Sequence, residues 1–397
     1  MSEALSLYLH VPFCSTRCGY CHFNTFEGLE RLFEPFADAL CAESGLWAER
    51  LRSRWRVQTI FLGGGTPTHL PLPQFTQIMR ALRAQWEWAD DIEITSEANP
   101  TRITQAYLEG MLASGINRVS FGAQAFDLGL LRMLDREHSV AQIGEAVLAA
   151  RKAGFTNISL DLMYGLPTQT LEQWRQSLAS AVALQPEHLS LYGLTIDDGT
   201  AFKKRVEKGL LPVPDDDLAA DMYELAETML AGAGFRQYEI SNWARLQKEC
   251  HFVGGEDLSR QMLLPSHHNL TYWLNEPYLG FGPGAHSWFG GRRFWNINAP
   301  QTYIEQLARG ESIENGAETI GTALEQAETV MLALRLNEGI SRSKFTQRFH
   351  ASLDEMYGPV LEQSAAWGLL EDDGERVRLT PRGRLLSNEV FQRLLPD

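Results

Sequence analysis

The feature that most constrains the fold is an alternation of short apolar runs with amphipathic stretches of helical length through residues 1–242. The apolar runs of strand length are residues 5–11, 57–62, 92–97, 118–121, 157–163 and 188–194. The helical stretches between them are residues 31–52, 74–85, 105–113, 140–153 and 171–184. Repeated strand–helix units predict an α/β fold with a parallel sheet and helices outside it. Six units are too few for a closed eight-stranded barrel, so they favour a partial (β/α)6 barrel with an open side.

The pattern changes after residue 242, and the chain divides into three predicted regions. Residues 1–242 form the partial barrel, residues 243–315 an aromatic-rich linker of mixed structure, and residues 316–397 a small C-terminal domain. One predicted helix at 323–336, two within 341–370 and a last one at 384–395, with a strand at 376–379, give this last domain a winged-helix-like character. Because residues 340–397 carry eight Lys and Arg against nine Asp and Glu, we expect a packing or partner-binding role.

Charge and hydropathy limit the classes of partner. The chain has 35 Lys and Arg against 50 Asp and Glu, a formal net charge of −15, which disfavours nucleic acid as the main partner. No stretch reaches the roughly 20 apolar residues that a membrane span needs, and the N-terminus has no basic leader. We therefore expect a cytoplasmic protein without an integral membrane segment.

Three of the five cysteines lie close together near the start of the chain. Cys14, Cys18 and Cys21 follow the first predicted strand with spacing Cys-x3-Cys-x2-Cys, which in a cytosolic protein indicates metal rather than disulfides. A 4Fe–4S cluster usually takes four thiolates, so three leave one iron open to a small molecule. S-adenosylmethionine suits this position, because its amino and carboxylate groups can chelate iron. The alternative is a zinc site completed by His22, although such sites usually use two separated pairs of ligands.

Glycines and polar side chains lie at or near the ends of successive predicted strands. They are Gly64, Gly65, Thr66, Glu97, Gln124, Arg136 and Asp161. The glycine-rich turn lacks the Gly-Lys-Ser/Thr ending of a nucleotide phosphate loop. Asp161 interrupts an apolar strand, and a buried carboxylate is costly unless it is paired. Each residue alone is explained by a salt bridge or a cap, but the ends of parallel strands meet on one face, so together they favour a shared ligand.

These motifs together resemble the radical S-adenosylmethionine superfamily, in the branch that contains oxygen-independent coproporphyrinogen III dehydrogenase. The matching segments are Tyr8-x-His10-x-Pro12-Phe13-Cys14-x3-Cys18-x-Tyr20-Cys21, Gly63-Gly-Gly-Thr-Pro-Thr68, Glu97-Ala-Asn-Pro100, Arg118-Val-Ser-Phe-Gly-x-Gln124, Asp161-Leu-Met-Tyr-Gly-Leu-Pro167 and Tyr238-Glu-Ile-Ser241. The resemblance implies that the three clustered cysteines hold a 4Fe–4S cluster. It implies that S-adenosylmethionine is bound by Tyr8, Tyr20, Gly64, Gly65 and Thr66 at its methionine end, and by Glu97, Gln124, Arg136 and Asp161 at its ribose and carboxylate.

Two motifs distinguish the members of this branch. In the dehydrogenase the cluster motif typically continues to a fourth cysteine two residues on, where this chain has Phe23. The heme chaperones of the branch carry phenylalanine there and a His-Asn-x-x-Tyr-Trp motif implicated in heme binding. Here that motif reads His268-Asn269-Leu-Thr-Tyr272-Trp273, and the downstream Tyr278-Leu-Gly-Phe-Gly-Pro-Gly-Ala-His286-Ser also matches.

The resemblance therefore implies a heme chaperone that binds heme and delivers it to a hemoprotein acceptor. The alternative is a coproporphyrinogen III dehydrogenase or another radical enzyme acting on a tetrapyrrole, although the position of Phe23 counts against decarboxylation. The resemblance further implies a reductant protein such as flavodoxin or ferredoxin, and it is compatible with a homodimer.

The proposed heme segment departs from the family in one respect. A cysteine usually precedes the His-Asn pair directly, whereas here residues 252–267 separate Cys250 from His268. This insertion is consistent with a lid, with a shifted heme or with a replacement ligand, His251 or His267. From the residues alone, packing of the aromatic side chains onto the barrel and an ordinary hydrogen bond of His268 explain the motif as well.

Overall fold

The computed structural model describes residues 3–51, 54–101, 103–246 and 263–396, so Cys250, His251 and residues 252–262 lie outside the described part. Its centre is a run of six parallel strands that pair in chain order. They are β1 (Glu3–Val11), β2 (Trp55–Gly64), β3 (Trp88–Ala98), β4 (Arg118–Gln124), β5 (Ile158–Tyr164) and β6 (His188–Gly193). Each coincides with a predicted apolar run. The prediction of an α/β fold built on six strand–helix units is confirmed.

Helices connect these strands. They are α1 (Phe33–Leu51), α2 (Leu72–Gln85), α3 (Gln105–Ala113), α4 (Leu128–Met133), α5 (Val140–Ala153), α6 (Leu171–Ala183), α7 (Ala201–Glu207) and α8 (Asp216–Gly232), with single 3-10 turns at Glu30–Leu32 and Pro67–His69. Capping boxes formed by Ser139 with Gln142 and by Thr170 with Gln173 fix where α5 and α6 begin. Helix α5 ends at Ala153 and is capped by Gly154, whose φ of 111° favours glycine.

The sheet continues beyond the parallel strands at both edges. Beside β6 lie β7 (Phe235–Glu239) and β8 (Asn242–Arg245), both antiparallel to their neighbours. Beyond β1 lie β9 (Tyr278–Phe281), β10 (His286–Phe289), β11 (Arg292–Asn296) and β12 (Glu314–Thr319), of which β9 pairs in parallel with β1 and the rest are antiparallel. With α9 (His267–Trp273) and α10 (Pro300–Ala308), they form the mixed region that the sequence predicts.

The C-terminal part has its own hydrophobic core around Val330, Phe345 and Leu361. Its elements are α11 (Thr322–Leu334), β13 (Ile340–Ser341), α12 (Arg342–Phe349), α13 (Leu353–Ala366), β14 (Leu370–Asp372), β15 (Arg376–Leu379), α14 (Pro381–Leu385) and α15 (Ser387–Phe391). The strands form a small antiparallel sheet in the order β13-β15-β14. The predicted small helical domain is confirmed, but its last helix divides into α14 and α15 at Leu386.

The alternation of side chains along β1 separates the main core from the functional side of the sheet. Leu5, Leu7 and Leu9 are buried in the main core. Tyr8 and His10 alternate with these leucines along the strand and therefore face its opposite side. None of the helices in the described ranges combines the length and the apolar character needed to cross a membrane.

Candidate functional site

A cavity of about 370 Å³ lies at the carboxyl end of the parallel strands, and we call it the first cavity. All but one of the residues predicted to hold the cluster and S-adenosylmethionine line it: Cys14, Cys18, Tyr20, Cys21, Gly64, Gly65, Thr66, Glu97, Gln124, Arg136 and Asp161. The convergence expected of parallel strand ends is therefore present. Tyr8 is the exception, because it lines a second cavity.

The three cysteines lie on the loop that follows β1. The Sγ of Cys14 is 3.7 Å from Thr66 Oγ1, and Nη1 of Arg136 donates to the Sγ of Cys18 at 3.4 Å. Burial raises the pKa of the Cys14 thiol to about 11. A guanidinium beside the thiols favours their charged form, which is the form that binds metal.

The three thiols face one cavity, which is the arrangement that a 4Fe–4S cluster needs. Within the described ranges, no group of three or more His, Cys, Asp or Glu side chains is placed to hold one metal ion. A 4Fe–4S cube takes each thiolate on a different iron, so its ligands can face one cavity without converging on a point. The buried Nε of Arg136 has no hydrogen-bond partner among the described residues, which leaves a donor for an acceptor in this cavity.

Gly64 and Gly65 present bare backbone to the first cavity. Gly64 has a φ of +99°, and a Cβ placed on it would lie 2.4 Å from ring atoms of His10. A Cβ on Gly65 would lie 2.6 Å from the carbonyl oxygen of Phe13. Only glycine fits at these two positions, so a ligand can approach the peptide groups closely.

Two carboxyl groups lie on the strand side of the first cavity. Glu97 Oε2 accepts a hydrogen bond from the backbone nitrogen of Gly64 at 3.2 Å, and Asp161 accepts one from Ser120 Oγ at 3.0 Å. Burial, followed by the charge of Asp161, raises the pKa of Glu97 to about 8. Burial also raises the pKa of Asp161, against hydrogen bonds from two serines and the charges of two arginines. The pair offers acceptors for hydroxyl or ammonium groups of a ligand.

The second cavity, of about 350 Å³, adjoins the first, because His22 and Phe23 line both. Its ring-bearing residues are Tyr8, His10, His22, Phe23, Tyr272, Tyr278 and His286. Apart from Tyr8, Tyr272 and His22, which the alternative zinc site would use, none of these is among the residues predicted to bind a cofactor or metal. The match of the segment Tyr278–His286 to the family was the sequence signal that pointed to two of them.

His268 lies buried beside the second cavity with both ring nitrogens engaged. A hydrogen bond of 2.8 Å joins Nδ1 to Thr59 Oγ1, and one of 3.0 Å joins Nε2 to the hydroxyl of Tyr272. The ring stacks on Phe61 with centroids 5.2 Å apart. Burial lowers the pKa of His268 to about 3, so the ring is neutral at physiological pH. In this conformation neither nitrogen of His268 is free to bind iron.

The rest of the His-Asn-x-x-Tyr-Trp motif holds α9 against the barrel. Glu93 accepts hydrogen bonds of 3.1 Å from the backbone nitrogens of His267 and His268. The ring of Trp273 lies under Arg335, whose Cζ is 4.3 Å from the ring centroid. Only Tyr272 of the predicted heme residues lines the second cavity; the other three, His268, Asn269 and Trp273, do not.

Similarity to known proteins identifies the family. Residues 8–181 match the family described as the Radical SAM superfamily, and residues 325–386 match the HemN C-terminal domain. A protein of Bacillus subtilis named heme chaperone HemW is 36% identical to this chain over 99% of both chains. The chain belongs to the HemW family. A second member, from Mycobacterium tuberculosis, is 37% identical over 99% of this chain and 95% of its own length.

More distant relatives agree with this assignment. A mitochondrial protein of Mus musculus named radical S-adenosyl methionine domain-containing protein 1 is 33% identical, covering 100% of this chain and 88% of its own. The structure of coproporphyrinogen III oxidase (HemN) from Escherichia coli, described as a radical SAM enzyme, is 25% identical with a TM-score of 0.83, covering 99% of this chain and 90% of that one. The predicted resemblance is confirmed. Membership of the superfamily implies S-adenosylmethionine and a 4Fe–4S cluster as cofactors.

Proposed function

We propose that this protein binds heme and delivers it to hemoproteins, with a 4Fe–4S cluster and S-adenosylmethionine in the first cavity. The observation that carries the proposal is similarity over nearly the whole chain to proteins named heme chaperone HemW. Phe23 supports it, because this side chain occupies the position where the dehydrogenase motif has a fourth cysteine. It is 55% exposed on the wall between the two cavities.

The chain's own residues would hold the cofactors as follows. Cys14, Cys18 and Cys21 bind the cluster, and Arg136 balances the negative charge of the thiolates through its contact with Cys18. When bound, the cluster supplies an electron and an iron open to the amino and carboxylate groups of S-adenosylmethionine.

The remaining residues of the first cavity would orient S-adenosylmethionine. The peptide groups at Gly64, Gly65 and Thr66, with Tyr20, line the first cavity and would hold its methionine end. Glu97, Gln124 and Asp161 lie on the strand side, where they can hydrogen bond to ribose hydroxyls or to the ammonium group. Tyr8 lies outside this set, because it lines the second cavity.

Heme binding would involve the helix α9 through Tyr272, whose phenol ring lines the second cavity. We further propose that a flavodoxin- or ferredoxin-type protein reduces the cluster and that the protein acts as a homodimer. The net charge of −15 gives no overall attraction for an acidic reductant protein. Such a reductant would therefore be attracted by positive side chains close to the cluster.

The second candidate function is oxidative decarboxylation of coproporphyrinogen III, because the fold closely matches that of the oxidase HemN. One paired assay separates the two functions. Anaerobically reconstituted, reduced protein receives S-adenosylmethionine and coproporphyrinogen III, and a parallel sample is titrated with heme. We expect tight heme binding and no protoporphyrinogen.

Phe23→Cys is the matched variant for this assay, because it restores the fourth cysteine of the dehydrogenase motif. We expect the substitution alone to give no turnover, since the dehydrogenase needs its whole site and not one thiol. Multiple turnovers by the natural protein would contradict the chaperone function and establish the second candidate.

A further inference from the structure

We propose that the second cavity is the heme site and that His286, rather than His268, is the iron ligand, while Tyr272 covers a face of the macrocycle. This inference rests on the proposed function, because it assumes that the protein binds heme. It names the residues of the site where that binding occurs.

The lining of the second cavity matches the chemistry of heme. A heme has two flat apolar faces, an iron that takes imidazole, and two carboxylates at one edge. The rings of Tyr272 and Tyr278 lie edge to face with centroids 4.7 Å apart, and Tyr8 lines the same cavity. Phenol rings pack well against a flat apolar surface while their hydroxyls remain hydrogen bonded. Asn298 is exposed on the lining, where it can donate to a carboxylate.

Three histidines line this cavity, and their hydrogen bonds distinguish them. Both ring nitrogens of His10 are engaged, Nδ1 with the hydroxyl of Tyr8 at 3.0 Å and Nε2 with the carbonyl oxygen of Asn24 at 2.9 Å. The Nδ1 of His22 lies 3.0 Å from Asp197 Oδ2. In the described part of the chain, neither nitrogen of His286 has a hydrogen-bond or ion-pair partner. His286 is therefore the one histidine of the three whose two ring nitrogens are both unengaged in the described part of the chain. The Nε2 of His22 also has no partner there, so His22 is the competing ligand that the experiment below separates from His286.

The imidazole of His286 is also held in a defined orientation. It is the first residue of β10, and its ring stacks on Trp295 of β11 with centroids 5.5 Å apart and planes 22° apart. A Cβ on Gly280 would lie 2.1 Å from the carbonyl oxygen of His286, so the two backbones pack directly against each other. A ligand whose ring and backbone are both fixed needs little reorganisation when iron binds.

The loop before His286 is anchored by a buried carboxyl group. Glu43 accepts hydrogen bonds from the backbone nitrogen of Gly282 at 2.8 Å and from Asn296 Nδ2 at 2.6 Å. The backbone nitrogen of Asn296 in turn donates to the carbonyl oxygen of Ala285 at 3.0 Å. These contacts join α1, the loop and β11, and they fix the position at which β10 begins.

On this arrangement His268 is a positioning residue. Its Nε2 holds the hydroxyl of Tyr272, and its Nδ1 is held by Thr59. Loss of His268 would release Tyr272 and weaken heme binding, but the iron would keep its histidine ligand.

The experiment compares His286→Ala, His268→Ala and His22→Ala in cluster-reconstituted protein. His350→Asn is the control, since His350 is exposed in the C-terminal domain and asparagine tolerates its φ of 54°. Ferric heme is added, and its axial ligand is read by resonance Raman and magnetic circular dichroism, because cluster absorption overlaps the heme bands. Circular dichroism and thermal unfolding check the fold of each variant.

We expect His286→Ala to lose the histidine-ligand signature and to bind heme about tenfold or more weakly, with the signature restored by added imidazole. His268→Ala, His22→Ala and the control should keep the signature. An unchanged signature in His286→Ala would overturn the inference, as would loss of the signature with imidazole rescue in His268→Ala or His22→Ala. Absence of heme binding by the natural protein would instead refute the proposed function itself.

Discussion

Replacement of Gly64 by alanine tests the geometry of the first cavity. A φ of +99° disfavours any L-residue at this position by roughly 1–2 kcal/mol. The new Cβ would also lie 2.4 Å from the ring of His10, which cannot retreat without losing its hydrogen bonds to Tyr8 and Asn24. Leaving buried polar groups unpaired costs about 1–3 kcal/mol each. With both hydrogen bonds of His10 lost, we therefore expect Gly64→Ala to lower the free energy of unfolding by about 3–8 kcal/mol.

Gly234→Ala is the matched control for this substitution. Gly234 also has a left-handed backbone, with a φ of +81°, but no heavy atom lies within 4 Å of the position its Cβ would take. It should therefore show the conformational cost alone, roughly 1–2 kcal/mol. Denaturant unfolding of both variants in cluster-free form measures the difference.

The clash with His10 would also displace the peptide groups of residues 64 and 65, which line the first cavity. We expect cluster-reconstituted Gly64→Ala to bind S-adenosylmethionine about tenfold or more weakly by calorimetry, a loss of about 1.4 kcal/mol or more. Gly234→Ala should keep the natural affinity. Equal destabilisation of the two variants together with unchanged affinity for S-adenosylmethionine would refute the reasoning.

Three further predictions test individual residues. Cys18→Ala should abolish the cluster absorption of anaerobically reconstituted protein, because two thiolates cannot hold the cube. Cys41→Ala, which removes a half-buried cysteine outside the first cavity, should keep that absorption. An intact cluster in Cys18→Ala, or stoichiometric zinc without iron in the natural protein, would contradict the assignment. Folding raises the pKa of Glu97 from 4.5 to about 8, so the unfolded chain loses this proton at a lower pH than the folded protein does. The free energy of unfolding of the cluster-free protein should therefore fall between pH 4.5 and about 8, by an amount on the order of 1–4 kcal/mol. Denaturant titrations across this pH range should show a smaller fall in Glu97→Gln, and an identical profile would count against the raised pKa. His268→Leu leaves the hydroxyl of Tyr272 without its partner, whereas Thr59 keeps its hydrogen bond to Ser6. The substitution should therefore lower the free energy of unfolding by about 1–3 kcal/mol in thermal unfolding, with or without heme. Destabilisation seen only in the heme-bound protein would point to an iron ligand instead.

The six parallel strands could be predicted from the sequence because such strands are buried on both faces and read as nearly continuous apolar runs. In β1, the segment Leu5–Val11 contains one residue that is not buried, Tyr8. Strands β10 and β12 gave no comparable signal. β10 has four residues, and β12 is exposed along nearly its whole length, so neither has a period that sequence could show.

The first cavity could largely be predicted because the ends of parallel strands always meet on one face. The second cavity could not, since Tyr8, Phe23, Tyr272 and His286 are far apart in sequence. They meet because β9 pairs with β1 in parallel, with Tyr8 opposite Gly280. No local pattern specifies that pairing.

The role of His268 shows a different limit. The His-Asn-x-x-Tyr-Trp motif reads the same whether its histidine binds iron or only makes hydrogen bonds. Whether Nδ1 of His268 is free depends on Thr59, which lies more than 200 positions away in sequence and hydrogen bonds to Nδ1 in the folded chain. The heme site that the motif predicts stays a prediction, and the sequence could not say which histidine nitrogens are free.

The central claim, that this protein carries heme and hands it on, is tested most directly by a transfer measurement. Heme-loaded, cluster-containing protein is mixed under anaerobic conditions with an apo-hemoprotein, with and without S-adenosylmethionine and reductant. The holo-hemoprotein that forms is followed by its own spectrum and separated to count the heme. The account predicts stoichiometric transfer that exceeds the rate from free heme at the same concentration, with the tetrapyrrole unchanged. Heme that stays on the donor, or leaves as a chemically altered tetrapyrrole, would contradict it.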